Sequence, residues 1–344
     1  MRRISKGVDI VRGCYTKDIY TPDVVTVDYD SITIFLSKNN SFPSSFVLVE
    51  GLQSVLEMIC VDITGNGLQD AIVVGEEYNG LQLFQNSSAG WINRVIDDTL
   101  YGYKAMASGV VGDNVTLFTA DPVYHVLYGY HLQMDASSLE LHAPRFEVAS
   151  GIDNPTLLKC ADLDGDGRLD LVVAYEGTFL GVLFGGAGNE FSPVANVDED
   201  VSSPLALSVD EHGHIFVATG TGDIFFYALT NSSGGERTWS DRIVVVEGQR
   251  YANDALVKFQ DLQALDFEQD GDVDVVRFFL SFFLSSVVKQ CVHLHRKDSH
   301  VPFCSCFVRG LLLASSVLFL LAISYLLPAP NFRATASRRR ACGR

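Results

Sequence analysis

One stretch of the sequence, residues 157–174, constrains the fold more than any other. It reads LLKCADLDGDGRLDLVVA, which is a short apolar run, a compact acidic segment and a second apolar run rich in β-branched residues. Two strand-like runs joined by so short a segment predict a β-hairpin. The loop carries aspartates at its positions 1, 3, 5 and 9, which are Asp162, Asp164, Asp166 and Asp170.

The spacing of these aspartates predicts a calcium site. Carboxylates two residues apart on a curled backbone point several oxygens at one centre, and calcium takes about six to eight oxygen ligands. Gly167 permits the left-handed turn that the curl needs, and the main-chain carbonyl of Arg168 is the expected ligand at position 7. An EF-hand begins in the same way, but it requires a glutamate at position 12 and flanking helices, whereas Val173 stands there in a strand-like run. We therefore expect a calcium loop inside a β-hairpin.

The same loop design occurs twice more in the chain. Because each copy precedes a β-branched run, the three together favour calcium over the alternative of ordinary solvated hairpins. The loop beginning at Asp62 is the weakest, since Thr64 and Asn66 replace charged ligands, and the loop beginning at Asp266 carries an additional acid. The expected ligand residues of the two copies are Asp62, Thr64, Asn66 and Asp70, and then Asp266, Glu268, Asp270, Asp272 and Asp274.

These motifs resemble the FG-GAP/VCBS repeats of integrin-α-like β-propellers. The resemblance rests on DLDGDGRLDLVV followed by GVLFGGAGNEF, and it covers residues 20–276. It implies a propeller with calcium loops within its blades, acting as an extracellular recognition or adhesion module for a protein or glycan ligand.

Aromatic residues mark the repeats. They recur about every 50 residues, which fits four-stranded propeller blades, and they are Phe46, Trp91, Phe146, Phe191 and Trp239. Two repeats, at 109–117 and 209–217, have plain hairpins instead of acidic loops, and in the second of them His212 and His214 indicate a solvated turn rather than a metal site. The sequence thus predicts an all-β fold, a β-propeller of about six repeats with the first and last incomplete.

The repeat pattern stops after Val276. Residues 310–327 are an uncharged apolar run long enough to cross a bilayer, with a buried core helix or strand pair as the alternative. Arginines are more numerous after this run than before it, which predicts a cytosolic tail and an extracellular or luminal propeller, although the first residues lack the apolar core of a secretory signal. The expected divisions are an N-terminal segment 1–19, a propeller 20–276, a juxtamembrane Cys/His-containing segment 277–309, a transmembrane helix 310–327 and a basic tail 328–344.

Charge and motif content narrow the function. The chain has a net charge of −17, and its acidic residues are concentrated before residue 277. So acidic a domain argues against nucleic-acid binding, which needs a basic surface. The sequence contains no nucleophile elbow, phosphate-binding loop, dinucleotide fingerprint or zinc-protease motif. Two functions stay open: a membrane-anchored, calcium-stabilised recognition or adhesion propeller, and a propeller-fold enzyme acting on polysaccharide, since a fold does not determine a function.

Cysteines and sequons give further expectations. Cys60 and Cys160 both stand two residues before the first aspartate of a loop, which predicts buried thiols rather than disulfide partners. If the domain is luminal, Asn-X-Ser/Thr sequons become glycosylation sites. They begin at Asn39, Asn86, Asn114 and Asn231, of which Asn86 and Asn231 are expected to be accessible.

Overall fold

Over the residues that it describes, the computed structural model is all-β. It describes residues 10–17, 21–28, 31–38, 41–52, 55–75, 80–99, 105–111, 114–121, 123–134, 141–175, 178–231, 237–247, 258–265, 273–280, 288–294 and 305–309. Within these ranges every regular element is a β-strand. No helix of this described part is long and apolar enough to span a membrane. The expected transmembrane run, 310–327, lies outside the described residues.

The first half of the chain forms three antiparallel sheets in sequence order. The first sheet contains β1 (Ile10–Cys14), β2 (Asp23–Asp28), β3 (Ser31–Lys38) and β4 (Ser41–Glu50). The second contains β5 (Val55–Val61), β6 (Asp70–Gly75), β7 (Leu81–Ser87) and β8 (Gly90–Asp97). The third contains β9 (Ala105–Val111), β10 (Asn114–Asp121), β11 (Val126–Met134), β12 (Leu141–His142) and β13 (Arg145–Ser150).

Three further sheets and one separate hairpin follow. The fourth sheet contains β14 (Pro155–Ala161), β15 (Asp170–Tyr175), β16 (Leu180–Leu183) and β17 (Ala195–Asp198). The fifth contains β18 (Pro204–Val209), β19 (Ile215–Thr219), β20 (Ile224–Tyr227) and β23 (Ile243–Val246), and the two-stranded hairpin is β21 (Leu229–Asn231) with β22 (Arg237–Trp239). The sixth contains β24 (Lys258–Leu265), β25 (Val273–Leu280), β26 (Val288–Leu294) and β27 (Ser305–Arg309).

Consecutive sheets pack face to face, with a separate apolar core between each pair. The first strands of consecutive sheets are also neighbours, so that β1 contacts β5, β5 contacts β9, β9 contacts β14, β14 contacts β18 and β18 contacts β24. The second to fifth sheets are therefore each covered on both faces, whereas the first and sixth sheets each share a core with one neighbour among the described residues.

This arrangement explains why the runs after the acidic loops are uninterrupted by polar residues. In β6, Ile72 and Val74 face the third sheet, whereas Ala71 and Val73 face the first. Side chains alternate along a strand, so a strand packed on both faces must be apolar throughout. Every residue of β6 is buried, and each large aliphatic side chain buried in this way stabilises the fold by about 1.5–3 kcal/mol.

The first and last sheets are four-stranded, and the expectation that both repeats are incomplete is corrected. The strand of the first sheet that the sequence pattern did not predict is β1, which pairs with β2 from Ile10↔Val27 to Cys14↔Asp23. The residues between β1 and β2 carry no repeated acidic pattern, so no motif marked this hairpin. In the sixth sheet β26 and β27 lie beyond Val276, in the segment expected to be juxtamembrane, and they extend the ladder from β25.

A disulfide joins the first two sheets. Cys14 in β1 is bonded to Cys60 in β5, with a Cα–Cα distance of 5.9 Å, so the expectation of a thiol at Cys60 is wrong. Cys160 in β14 is a free thiol, as expected, and burial raises its pKa to about 12. The two equivalent positions differ because β1 supplies a cysteine beside β5, whereas Gly109 of β9 lies against Cys160.

Candidate metal centre

The Asp162 loop, residues 162–169, joins β14 to β15 in the fourth sheet. Gly165 and Gly167 have left-handed φ angles of +74° and +82°, a conformation that glycine adopts without steric cost. One oxygen of Asp162 accepts the N–H of Gly165 at 2.8 Å, and the other accepts the N–H of Gly167 at 2.9 Å. Asp162 therefore holds the curl of the loop from within.

The curl brings Asp162, Asp164 and Asp166 together. Each carboxylate offers an oxygen, and these oxygens lie within 4.8 Å of one another. Within the part of the chain that the structure describes, no other group of three acidic, histidine or cysteine side chains is gathered so closely. A set made wholly of carboxylate oxygens suits a hard cation such as calcium. These residues therefore fit the ion that the repeat resemblance implies.

Asp170, the expected ligand at position 9, is not part of this group. Its carboxylate accepts the N–H of Leu163 and the N–H of Gly185, both at 2.8 Å, and so joins the loop to the end of β16. Burial raises the pKa of Asp170 to about 6, against the opposing effect of these two hydrogen bonds. Arg168, at position 7, donates from Nε to the carbonyl oxygen of Gly185 at 2.9 Å.

The Asp62 loop, residues 62–69, repeats this construction in the second sheet. Gly65 and Gly67 have φ angles of +68° and +83°, and their N–H groups donate to Asp62 at 2.8 Å and 2.7 Å. Asp70 accepts the N–H of Asn86 at 2.6 Å, as Asp170 accepts that of Gly185. Burial raises the pKa of Asp70 to about 6 as well. Two loops 100 residues apart thus share one backbone conformation and one hydrogen-bond pattern.

The side chains of the Asp62 loop differ in charge and in partners. The hydroxyl of Thr64 donates to Asp62 at 3.3 Å, and the amide of Asn66 donates to the carbonyl oxygen of Asn86 at 3.0 Å. Only Asp62 contributes a carboxylate among positions 1, 3 and 5. Because calcium affinity follows the number of charged ligands, this loop is the poorer cation site.

The third acidic loop lies between β24 and β25. The structure describes both strands and places Asp274 in β25, paired with Leu265 of β24. The other expected ligands fall outside the described residues: they are Asp266, Glu268, Asp270 and Asp272.

Two arginines form ion pairs with aspartates of the Asp162 loop. The guanidinium of Arg168 forms an ion pair with Asp166 in the same loop. The second ion pair joins Arg237, from the β21–β22 hairpin, to Asp164, whose side chain is only 7% exposed. The guanidinium of Arg237 also lies over the ring of Phe184, 4.1 Å from its centroid. No sequence pattern predicts this second pair, because its partners are far apart in the chain and belong to no shared motif.

The fifth sheet has a related loop between β18 and β19, in which a histidine side chain contacts the buried aspartate. Asp210 is buried and accepts the N–H groups of His212 and His214, and His214 Nδ1 lies 2.8 Å from its second oxygen. Burial acts to raise the pKa of Asp210, but the hydrogen bonds of His214 outweigh it and lower the pKa. Gly213 packs on the Asp162 loop, since a Cβ there would lie 2.7 Å from the carbonyl oxygen of Leu163. The side chains of His212 and His214 are similarly exposed, at 35% and 32%, and they differ in that His214 is held by its contact with Asp210.

A tyrosine–aspartate–arginine cluster links the second and third sheets. The hydroxyl of Tyr130 in β11 donates to Asp97 at the end of β8, at 3.0 Å. Arg145 of β13 donates to the same carboxylate at 3.2 Å and lies over the ring of Tyr128.

The same cluster recurs between the fourth and fifth sheets. Tyr227 of β20 donates to Asp198 of β17 at 2.7 Å, and Arg242 forms a bidentate pair with Asp198 at 2.6 and 2.7 Å. Burial acts to raise the pKa of Asp198, but the hydrogen bonds from Arg242 and Tyr227 lower it. Both clusters escape sequence reading, since their residues are widely separated and common in type. A feature that the two clusters share in the sequence is the aspartate that ends β8 and β17.

A cavity of about 310 Å³ lies between the third and fourth sheets. His131 stacks on Phe146 at a centroid distance of 4.8 Å, and its Nε2 lies 2.7 Å from Oδ1 of Asn189. The hydroxyl of Thr116 lies 3.1 Å from Nδ1 of His131. Thr116 lines this cavity and is 1% exposed.

The sequon at Asn86 is buried by the fold. Its side-chain amide donates to the carbonyl oxygen of Thr16 at 2.6 Å and ties the first sheet to the second. The expectation that Asn86 is accessible to glycosylation is therefore corrected. Asn114 begins β10 and Asn231 ends β21, whereas Asn39 lies outside the described residues.

No protein-family model matches this chain, and no curated protein matches it.

Proposed function

We propose that this chain is a calcium-stabilised β-propeller of the FG-GAP/VCBS type that serves as a recognition or adhesion module. The observation that carries the proposal is the duplication of one loop. The Asp62 and Asp162 loops occupy the same place in their sheets and share their glycine conformations and the hydrogen bonds of their first and ninth residues.

The packing of the sheets supports the propeller. Six four- or five-stranded antiparallel sheets follow one another among the described residues, and each consecutive pair shares an apolar core. The contacts between successive first strands suit blades arranged around a common axis, with these strands innermost.

Calcium in the Asp162 loop would be held by Asp162, Asp164 and Asp166, which already lie close together. A bound ion supplies positive charge that offsets the mutual repulsion of these carboxylates. The conformation of the loop is held by the chain's own contacts. Asp162 and Asp170 accept main-chain N–H groups, and Gly213 of the next sheet packs against the loop.

The disulfide supports a domain that folds in an oxidising compartment. Disulfides such as Cys14–Cys60 persist in secreted and luminal proteins and are rare in the cytosol. This agrees with the topology inferred from the arginines after residues 310–327, in which the sheets face the lumen or the exterior and that run anchors the chain.

An exposed turn supports recognition. The β10–β11 turn presents Val123 and Tyr124, which are 66% and 73% exposed, beside His125 with a φ of +58°. Aromatic residues are enriched in protein and glycan interfaces because they add contact area at low entropic cost.

Binding of the full chain, in detergent micelles and millimolar calcium, to glycan and protein arrays tests the proposed function. The proposal predicts retention of specific partners without chemical change, and weaker retention for Tyr124→Ser at an unchanged melting temperature. Phe179→Ser, at another exposed loop position in the fourth sheet, is the matched comparison for general loss of surface apolar area. Cleavage of an arrayed polysaccharide would contradict the proposal and establish the enzyme alternative.

A further inference from the structure

The Asp162 loop already has two positive partners from the chain. Arg168 is a member of the loop, and its ion pair with Asp166 is formed within the hairpin. Arg237 comes from a different element, the β21–β22 hairpin, which follows the third strand of the fifth sheet. The two arginines therefore stand in different relations to the loop, and only the second couples it to another part of the molecule.

Arg237 reaches the least exposed carboxylate of the group. The side chain of Asp164 is 7% exposed and that of Asp166 is 23% exposed. A carboxylate with so little access has little room for a second positive partner. Calcium and the guanidinium of Arg237 thus compete for one set of oxygens.

The hairpin that carries Arg237 lies outside the ladder of the fifth sheet and packs its Leu229 and Trp239 side chains on the core between the fourth and fifth sheets. β21 and β22 form a sheet of their own, paired from Leu229↔Trp239 to Asn231↔Arg237.

The Asp62 loop provides an internal comparison. Its positions 3 and 5 are the neutral residues Thr64 and Asn66, which donate to Asp62 and to the carbonyl oxygen of Asn86. A loop without excess negative charge needs no cationic partner, whereas the triacidic loop has two. The arginine therefore follows the charge of the loop, as expected for a counter-ion.

We propose that Arg237 is a built-in counter-ion of the Asp162 loop, so that calcium binding there and the ion pair between Arg237 and Asp164 exclude each other. This rests on the proposed function, because it takes calcium as the ion of that loop. In the absence of calcium the ion pair with Asp164 holds the hairpin against the fourth sheet. When calcium binds, Asp164 turns to the metal, Arg237 is released and the hairpin loses this contact with the loop, while Leu229 and Trp239 stay packed on the core.

Hydrogen exchange of the full chain during calcium titration tests this, because it reports each segment separately. Protection of 162–169 gives the calcium affinity of this loop alone, apart from the other acidic loops. Exchange of 229–231 and 237–239 reports the hairpin in the same samples. In the wild-type protein the loop is expected to gain protection while the hairpin loses it, at the same calcium concentration.

Variants of Arg237 give the expected magnitude. Arg237→Gln removes the competing charge and should tighten calcium binding at 162–169 about tenfold, the equivalent of one charge-assisted hydrogen bond. Arg237→Lys keeps the charge without the planar guanidinium and should give an affinity between those of the wild type and Arg237→Gln. Arg94→Gln is the matched control, since Arg94 lies in β8 and donates to Gln85 of the second sheet.

The outcomes separate this inference from the calcium proposal. Equal calcium affinity of the wild type and Arg237→Gln, or a wild-type hairpin whose exchange is unchanged by calcium, would overturn the counter-ion role and leave the calcium site standing. The exchange of the hairpin is measured in the wild-type protein, so it tests the counter-ion role even if a variant folds poorly. Absence of calcium-dependent protection at 162–169 in every variant would overturn both.

Discussion

At the scale of single residues, the two loops differ in what their fifth position can offer a cation. Asp166 belongs to the group of three carboxylates, whereas the amide of Asn66 is committed to the carbonyl oxygen of Asn86. Asp166→Ala is therefore expected to weaken calcium binding to its loop by at least about tenfold, because it removes a charged ligand.

Asn66→Ala, the equivalent change in the Asp62 loop, should lower the affinity of that loop far less. Calcium titration of the two variants followed by hydrogen exchange of 62–69 and 162–169 measures both effects. Similar losses at the two loops would show that their ranking is wrong.

The aspartates that accept hydrogen bonds from tyrosine and arginine predict that the fold loses stability as the pH is lowered. The pKa of Asp198 is lowered in the folded chain by Arg242 and Tyr227 in spite of burial, whereas an unfolded aspartate has a pKa of about 3.9. The ionised pair therefore stabilises the fold above that unfolded value, and the contribution is lost as the pH falls through the lower folded pKa.

Urea unfolding across pH 2–6 checks this linkage. Asp198→Asn is expected to reduce the stability at pH 6 and to flatten its decline toward low pH. The matched control is Asp153→Asn, since the side chain of Asp153 is 95% exposed. An unchanged pH slope in Asp198→Asn would contradict the lowered pKa.

At the scale of elements, the sequence predicted those hairpins whose information is local. The β-branched runs after each acidic loop became β6 and β15 because a short loop and an apolar strand are both decided by neighbouring residues. Asp170 shows the limit of such reading. Its spacing predicts a calcium ligand, and no local pattern indicated that its carboxylate also accepts the N–H groups of Leu163 and Gly185.

Contacts between elements could not be read in this way. Arg237 meets Asp164, and Tyr227 meets Asp198, only when whole sheets pack together. The pairing of Cys14 with Cys60 was hidden for the same reason: it depends on β1, whose hairpin carries no motif. Local spacing therefore predicted the loops and most strands, while the sheet-to-sheet interactions required the three-dimensional fold.

This disulfide closes a sequence separation of 46 residues between the first and second sheets. Replacing both cysteines, Cys14→Ser with Cys60→Ser, is expected to lower the free energy of unfolding by about 2–4 kcal/mol, mainly by relaxing the unfolded chain. Denaturant unfolding without reductant measures the change. Reductant should bring the wild-type protein to the stability of the double variant and leave the variant unaffected, and a variant as stable as the oxidised wild type would contradict the structural role of the bond.

At the scale of the whole molecule, each sheet is stabilised by its packing against the sheets next to it in the chain. Each sheet shares an apolar core with the next, and the acidic loops lie at these joints, where Gly213 of the fifth sheet packs on Leu163 of the fourth. An ion that orders one loop therefore stabilises the contact between two sheets as well as its own hairpin.

Thermal unfolding of the full chain in excess calcium and in chelator tests the central claim most directly. A ligand that binds only the folded state contributes about 2.7 kcal/mol per site at 100 times its dissociation constant, so calcium is expected to raise the melting temperature. Asp162→Asn should remove most of the shift that its loop provides, because it replaces one of the clustered carboxylates. Melting curves of the wild-type protein that superimpose with and without calcium would contradict the account.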